Sequence, residues 1–125
     1  MEHRVLCVGE LQTDCYLIWS DPARAIVLDP GDEAERILRQ IRDNGLTVQA
    51  VVLTHAHADH MLAAEAVCAA TGAPLWLAAA ERAALDDPRR NLTQFLFPGR
   101  ALWQNGAPQL VRGLTPTYPI NTPNL

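Results

Sequence analysis

V-V-L-T-H-A-H-A-D-H, residues Val51–His60, is the part of this sequence from which both architecture and chemistry are best inferred. It begins with apolar, β-branched residues, a pattern that predicts a buried strand. Three of the chain's four histidines and one aspartate follow within six positions, namely His55, His57, Asp59 and His60. Burying such groups together is costly, and a divalent metal ion is the usual compensation. The stretch therefore predicts a metal site at the end of a central strand.

The spacing of these residues supports the same prediction. His55 and His57 are two positions apart, so in extended backbone their side chains project to the same side and can close on one ion. Asp59 and His60 follow as the chain turns, which gives two ligand pairs. Imidazole nitrogens with a carboxylate oxygen suit zinc, and also manganese or non-haem iron. The alternative is a surface loop that happens to be rich in histidine, but the uncharged strand in front of it argues against that interpretation.

Length and composition limit the classes of protein to which this chain can belong. Its 125 residues are enough for one domain with its own core. The net charge is −4 and lysine is absent, so no nucleic-acid or membrane partner is expected. The apolar runs are too short to span a bilayer, and the N-terminus lacks a signal pattern. Cys7, Cys15 and Cys68 lie among apolar neighbours, which predicts buried, reduced thiols in a cytoplasmic protein.

Periodicity predicts an α/β chain in which strands and helices alternate. The sequence at Asp32 and Glu35 is typical of a helix-capping box, and Gly45 marks the end of that helix. Strand, helix and strand in this order imply a right-handed crossover. The predicted strands cover residues 4–8, 15–19, 25–28, 49–53 and 74–77, and the predicted helices cover residues 32–43, 62–70 and 79–86.

Two further predictions concern residues outside the histidine-rich stretch. Asp29 ends the third predicted strand, where it could either orient a ligating histidine or cap the backbone of its own turn. The residues alone do not decide between these two roles. Residues 91–97 are expected to form a loop or partial helix, with Leu96 and Phe97 in the core rather than at a substrate.

Three motifs of the chain resemble those of a known family. T-H-A-H-A-D-H at residues 54–60 resembles the T-H-x-H-x-D-H signature of the metallo-β-lactamase superfamily. L-Q-T-D-C-Y-L at residues 11–17 and L-D-P-G at residues 28–31 resemble its glyoxalase II-like, or hydroxyacylglutathione hydrolase-like, branch. The resemblance covers residues 4–97. It implies an αββα sandwich of which this chain supplies about one half, as a mixed sheet with helices on one face.

The resemblance also implies a division of the chain at residue 97. Residues 1–97 would form an N-terminal half-domain of the metallo-β-lactamase type. Residues 98–125 contain five of the nine prolines and show no periodicity, so a divergent or irregular segment is expected there.

The chemistry that the resemblance implies is metal-dependent hydrolysis. His55, His57, Asp59 and His60 would bind one or two zinc ions, with iron or manganese possible instead. Asp59 would also be catalytic, as the base that orients water if one ion is bound. The expected substrate is a small thioester of the glutathione type, or another ester. Lactonases and iron-dependent sulfur dioxygenases share the motif and remain alternatives.

The sequence departs from the family pattern after the motif. A complete member would supply a third histidine, a bridging aspartate and a last histidine further along, but no histidine follows His60. Asp86 and Asp87 are the last acidic residues and lie too early for the bridging role. Three interpretations remain: a truncated or frame-shifted member, a homodimer whose second copy completes the sandwich, or an interaction module without catalysis.

Overall fold

A single mixed sheet with helices forms the fold. The computed structural model describes residues 1–104 and, for backbone only, residues 111–114. The strands are β1 Glu2–Val8, β2 Thr13–Trp19, β3 Ala25–Leu28, β4 Val48–Val52, β5 Leu75–Ala78 and β6 Val111–Leu114. The helices are α1 Ala34–Asp43, α2 Ala64–Thr71 and α3 Thr93–Leu96, with single 3-10 turns at Pro22–Arg24 and Ala58–His60 and a 3-10 segment of 6 residues at Ala79–Ala84.

The strands lie in the sheet in the order in which they occur along the chain. The pairs β1–β2 and β2–β3 are antiparallel, whereas β3–β4, β4–β5 and β5–β6 are parallel. Parallel neighbours need a crossover connection, and α1 supplies it between β3 and β4. The mixed α+β fold therefore agrees with the alternating pattern that the sequence predicts.

The two faces of the sheet differ in burial. Every second residue of β2 is buried, and the residues on this face join Ile37, Ile41 and Val67 of the helices in one core. On the other face, strand register places five partly or largely exposed apolar residues side by side across the sheet, namely Val5, Tyr16, Leu28, Val52 and Trp76. The helices of the described part thus bury one face only, as expected for half of a sandwich.

The start of α1 differs from the sequence prediction. No capping box forms, because α1 begins at Ala34 and Glu33 occupies the N-cap with φ of 57° and no side-chain cap. The carboxylate of Asp32 accepts a hydrogen bond from the Glu33 amide (2.8 Å) instead. Glu33 in turn accepts from the amide of Gly9 (2.8 Å), so a contact with a distant loop replaces the local cap.

The helix after the histidines begins later than predicted. The amides of Leu62 and Ala63 donate to the carbonyl oxygens of Gly31 (3.1 Å) and Pro30 (3.0 Å), so they are held by a neighbouring loop rather than by a helix. α2 therefore starts at Ala64. It ends as predicted, with Gly72 in the left-handed conformation at φ of 74°.

Four side chains are less buried than predicted. Leu96 is 37% exposed and Phe97 is half-buried, because the single turn of α3 lies at the surface. Cys7 is exposed on edge strand β1, whereas Cys15 is buried and Cys68 lies between the two; all three are free thiols.

The described part of the C-terminal segment includes a regular element that periodicity does not predict. β6 lies within residues 98–125 and pairs in parallel with β5. Residues 105–110 and 115–125, which form most of that segment, lie outside the described residues, so the division at residue 97 stays a prediction. None of the described helices is long and apolar enough to cross a membrane.

Candidate metal centre

The histidine-rich loop that follows β4 has an alternating arrangement of side chains. Ala56 and Ala58 have no exposed surface, whereas the neighbouring residues His55, His57 and Asp59 are partly exposed. The backbone of His57 is extended (φ −105°, ψ 141°), and in extended backbone successive side chains point to opposite sides, so Ala56 packs inward while His57 points outward. Ala58 begins the 3-10 turn that follows and is the buried residue of that turn.

The fold brings the four predicted site residues together. The ring centroids of His55 and His57 are 4.5 Å apart, and those of His55 and His60 are 4.1 Å apart. The Nε2 atom of His60 lies 3.5 Å from Oδ2 of Asp59, which also accepts a hydrogen bond from the Thr13 hydroxyl (3.3 Å). Their proximity is thus observed, while their roles as ligands stay a prediction.

Asp29 joins the end of β3 to this cluster. Its side chain is buried and accepts two hydrogen bonds from Thr54, one from the amide (2.8 Å) and one from the hydroxyl (2.7 Å). Its Oδ2 atom also lies 3.2 Å from Nδ1 of His60, although the two are not aligned as a hydrogen bond. Asp29 therefore acts on the histidine-rich loop, which favours the first of its two predicted roles over capping its own turn.

Two residues that sequence reasoning missed hold the same loop. Glu81, in the 3-10 turn after β5, accepts a hydrogen bond from the amide of Ala56 through Oε1 (3.1 Å). The carbonyl oxygen of Asn91 accepts from the amide of Ala58 (2.7 Å). Glu81 could have been suspected, because parallel neighbours β4 and β5 end at the same edge of the sheet. Asn91 gave no such signal, because it lies in irregular structure.

Asn91 is held firmly in place by its own side chain. It is 2% exposed, and its Nδ2 atom donates to the carbonyl oxygens of Ala84 (2.8 Å) and Leu85 (3.2 Å). Its Oδ1 atom accepts from the amide of Thr93 (3.0 Å). A buried side chain with all its polar atoms bonded has one orientation, so the backbone acceptor that it offers to the loop is fixed.

The electrostatic surroundings of His55 favour its neutral form. Burial lowers the pKa of this imidazole, the nearby His60 and His57 lower it further, and these effects outweigh the opposite effects of Asp29 and Asp59. Only an unprotonated imidazole nitrogen can bind a metal ion, so the cluster keeps His55 in the form that a metal requires.

The four residues have donor atoms that suit a metal ion and lie close together, but their side chains do not converge on one point. His60 Nδ1 is a buried polar atom without a hydrogen-bond partner, as expected of a group that awaits another interaction. Three imidazoles and a carboxylate also have the donor chemistry of zinc or iron sites. Within residues 1–104, however, no three histidine, cysteine or acidic side chains converge on one point.

Two spaces in the surface lie near this region. A cleft of about 470 Å³ is lined by residues including Leu85, Asn91, Phe97, Arg100 and Trp103, and the motif residues take no part in it. A much smaller space beside Asp59 is lined by Thr13, Gly31 and Phe97 among others. The larger cleft therefore lies beside Asn91, which holds the histidine-rich loop, rather than at the histidines.

Comparison with known proteins identifies the class. The family model described as the metallo-beta-lactamase superfamily matches residues 8–124, so this chain belongs to that superfamily. Hydroxyacylglutathione hydrolase GloC of Haemophilus influenzae is 37% identical over 76 residues, which are 61% of this chain and 36% of that protein. The resemblance to the hydroxyacylglutathione hydrolases is thereby confirmed.

Solved structures agree on the fold. The B3 metallo-beta-lactamase BLEG-1 superposes with a TM-score of 0.80 at 32% identity, over 91% of this chain and 53% of that one. TTHA1623, solved in a di-iron-bound form, gives 0.70 at 30% identity, over 90% of this chain and 54% of that one. The chain thus spans between about a third and about half the length of these relatives, and the expectation of half a metallo-β-lactamase fold is confirmed.

Proposed function

We propose that this chain carries the metal-binding part of a glyoxalase II-like metallo-hydrolase, whose substrate is a thioester of the hydroxyacylglutathione type. The observation that carries the proposal is the cluster of His55, His57, Asp59 and His60 at the end of β4, with neighbouring rings 4.1–4.5 Å apart. Membership of the superfamily and the likeness to a hydroxyacylglutathione hydrolase support this choice of reaction.

His55, His57, Asp59 and His60 would hold one or two metal ions. Zinc suits this donor set, and iron does as well, which the di-iron form of TTHA1623 supports. When bound, such an ion lowers the pKa of water towards about 7 and stabilises negative charge on a carbonyl oxygen.

The chain's own residues would prepare the site in three ways. His55 stays neutral because its surroundings lower its pKa. Asp29 lies 3.2 Å from Nδ1 of His60, which has no hydrogen-bond partner, so its carboxylate would orient that ring from behind the loop. If one ion is bound, Asp59, oriented by the Thr13 hydroxyl at 3.3 Å, would be the base that orients water.

Zinc binding by the full chain tests the proposal. The purified chain is expected to retain about one to two equivalents of metal after exhaustive dialysis. His57→Ala should lower this content and abolish release of thiol from a hydroxyacylglutathione substrate. His3→Ala is the matched control, because His3 lies on β1 outside the motif. A parent chain that takes up no zinc, or a His57→Ala chain that binds it equally well, would contradict the proposal.

A self-associating module without catalysis is the second candidate. The observation that favours it is the partly exposed apolar face of the sheet. That candidate predicts association without zinc uptake, so the zinc content of the associated chain distinguishes the two functions.

A further inference from the structure

Glu81 reaches the histidine-rich loop from a distant part of the sequence. It lies in the 3-10 turn Ala79–Ala84, which directly follows β5. Because β5 runs parallel to β4, the turn after β5 and the loop after β4 lie at the same edge of the sheet. The contact is a hydrogen bond from the amide of Ala56 to Oε1 of Glu81 (3.1 Å).

The position of Ala56 makes this hydrogen bond important. Ala56 lies between His55 and His57, and its side chain is fully buried. Beyond Leu53, whose amide still donates to the Trp76 carbonyl (2.9 Å), the loop leaves the sheet and its amides need other acceptors. Glu81 supplies the acceptor for the amide of Ala56, the residue between the two histidines.

The acceptors along the loop form a pattern. The amides of residues 54, 56 and 58 donate in turn to Asp29, Glu81 and the Asn91 carbonyl, while residues 55, 57 and 59 carry the partly exposed polar side chains. Asp29 and Asn91 hold the two ends of residues 54–58, and Glu81 holds the middle. A hydrogen bond to a carboxylate is typically stronger than one to a neutral acceptor.

We propose that Glu81 is a positioning residue, which fixes the backbone between His55 and His57 and thereby the separation of their imidazoles for a metal ion. This proposal rests on the proposed function, because it assigns Glu81 to the same site. Glu81 acts through the peptide of Ala56. Its Oε1 atom accepts the hydrogen bond from that amide.

The experiment compares Glu81→Ala and Glu81→Gln with the parent chain. Loss of an acceptor that orients metal ligands typically weakens metal affinity by about tenfold to a hundredfold. We expect that loss in Glu81→Ala, measured as a zinc dissociation constant by competition with a chelator. Glu81→Gln should recover most of the affinity, since its amide oxygen can still accept from Ala56. Glu35→Ala is the matched control, because Glu35 is exposed on α1.

Hydrogen exchange in the metal-free chain supplies a readout that does not depend on zinc. The Ala56 amide should exchange at least about tenfold faster in Glu81→Ala than in the parent, because its acceptor is removed. The Leu53 amide, held by the Trp76 carbonyl, should exchange at an unchanged rate and so exclude general unfolding.

The outcomes separate this proposal from the proposed function. If the parent binds zinc and Glu81→Ala binds it equally well, Glu81 does not position the site and only this proposal fails. A Glu81→Gln chain as weak as Glu81→Ala would also overturn it. If the parent binds no zinc, the proposed function fails, and the positioning of ligands fails with it, even where exchange shows that Glu81 holds Ala56.

Discussion

Cys15 shows how strongly the fold can alter a single ionisable group. Its side chain is fully buried on the inner face of β2. Burial, and secondarily the negative charge of Asp29, raise the pKa of this thiol to about 12. A thiol in an unfolded chain ionises near 8.5, so folding keeps Cys15 protonated over a wide alkaline range. The buried thiol is therefore unreactive as well as structurally constrained.

The raised pKa of Cys15 predicts a loss of stability in alkali. Above about pH 8.5 the unfolded chain releases the thiol proton and the folded chain does not, so the free energy of unfolding falls as pH rises. The slope approaches about 1.4 kcal/mol per pH unit, or about 2 kcal/mol between pH 8.5 and 10. Urea unfolding at several pH values, with reductant present, measures this loss.

The matched variant for this measurement is Cys15→Ala. Its free energy of unfolding should fall less steeply with rising pH than that of the parent. Some fall should remain, because burial also raises the pKa of Cys68, to about 11. Equal slopes in the parent and in Cys15→Ala would show that Cys15 ionises as easily in the folded state as in the unfolded one. Thiol labelling gives an independent check, since exposed Cys7 should react first.

At the scale of elements, the contact between two loops shapes the candidate site. Gly31, in the loop after β3, packs so closely on the loop after β4 that a Cβ atom there would overlap the carbonyl oxygen of Asp59 and press on the side chain of Thr13. The Gly31 carbonyl also accepts from the amide of Leu62 (3.1 Å). Glycine is thus required here by close approach rather than by a left-handed backbone.

Gly31→Ala should therefore damage the fold and the site together. Inserting one methyl group into a packed contact typically costs about 1–3 kcal/mol, and relief of the overlap must displace the backbone of Asp59. We expect a lower midpoint in urea and weaker zinc binding, measured by denaturation and by chelator competition.

Gly45→Ala is the control that separates these two effects. Gly45 has φ of 63° and open space around its Cα, so alanine there should cost stability through backbone strain alone. Zinc affinity should be unaffected, because Gly45 lies beyond the far end of α1. If Gly31→Ala binds zinc as tightly as Gly45→Ala, the contact between Gly31 and the loop after β4 does not shape the metal site.

At the scale of the whole molecule, the unequal faces of the sheet are the dominant feature. One face is buried under α1 and α2, whereas on the other face the described residues include seven large apolar side chains that remain partly or largely exposed: Val5, Tyr16, Ile18, Ile26, Leu28, Val52 and Trp76. None of these seven carries a formal charge, so two copies can meet there despite a net charge of −4 per chain. Contiguous apolar surface of this kind favours association.

We therefore predict that the chain self-associates through this face. Sedimentation across a wide dilution series should show a mass that rises with concentration. Ile18→Lys should shift the chain towards monomer, because a charge placed in an apolar contact must be desolvated. Leu96→Lys is the control, since Leu96 is exposed but lies on α3 away from the sheet. A parent chain that stays monomeric throughout would contradict the prediction.

The sequence by itself determined strands β1 to β5, the helix α1 and the four polar residues of the motif, because periodicity and side-chain chemistry are local properties. It also indicated Asp29, although not its partner. Only the tertiary structure decided that Asp29 binds Thr54, that Glu81 and Asn91 hold the amides of the loop, and that Glu33 contacts Gly9 instead of a capping box. Those contacts join segments far apart in the chain, and their geometry depends on how parallel strands bring loop ends to one edge of the sheet.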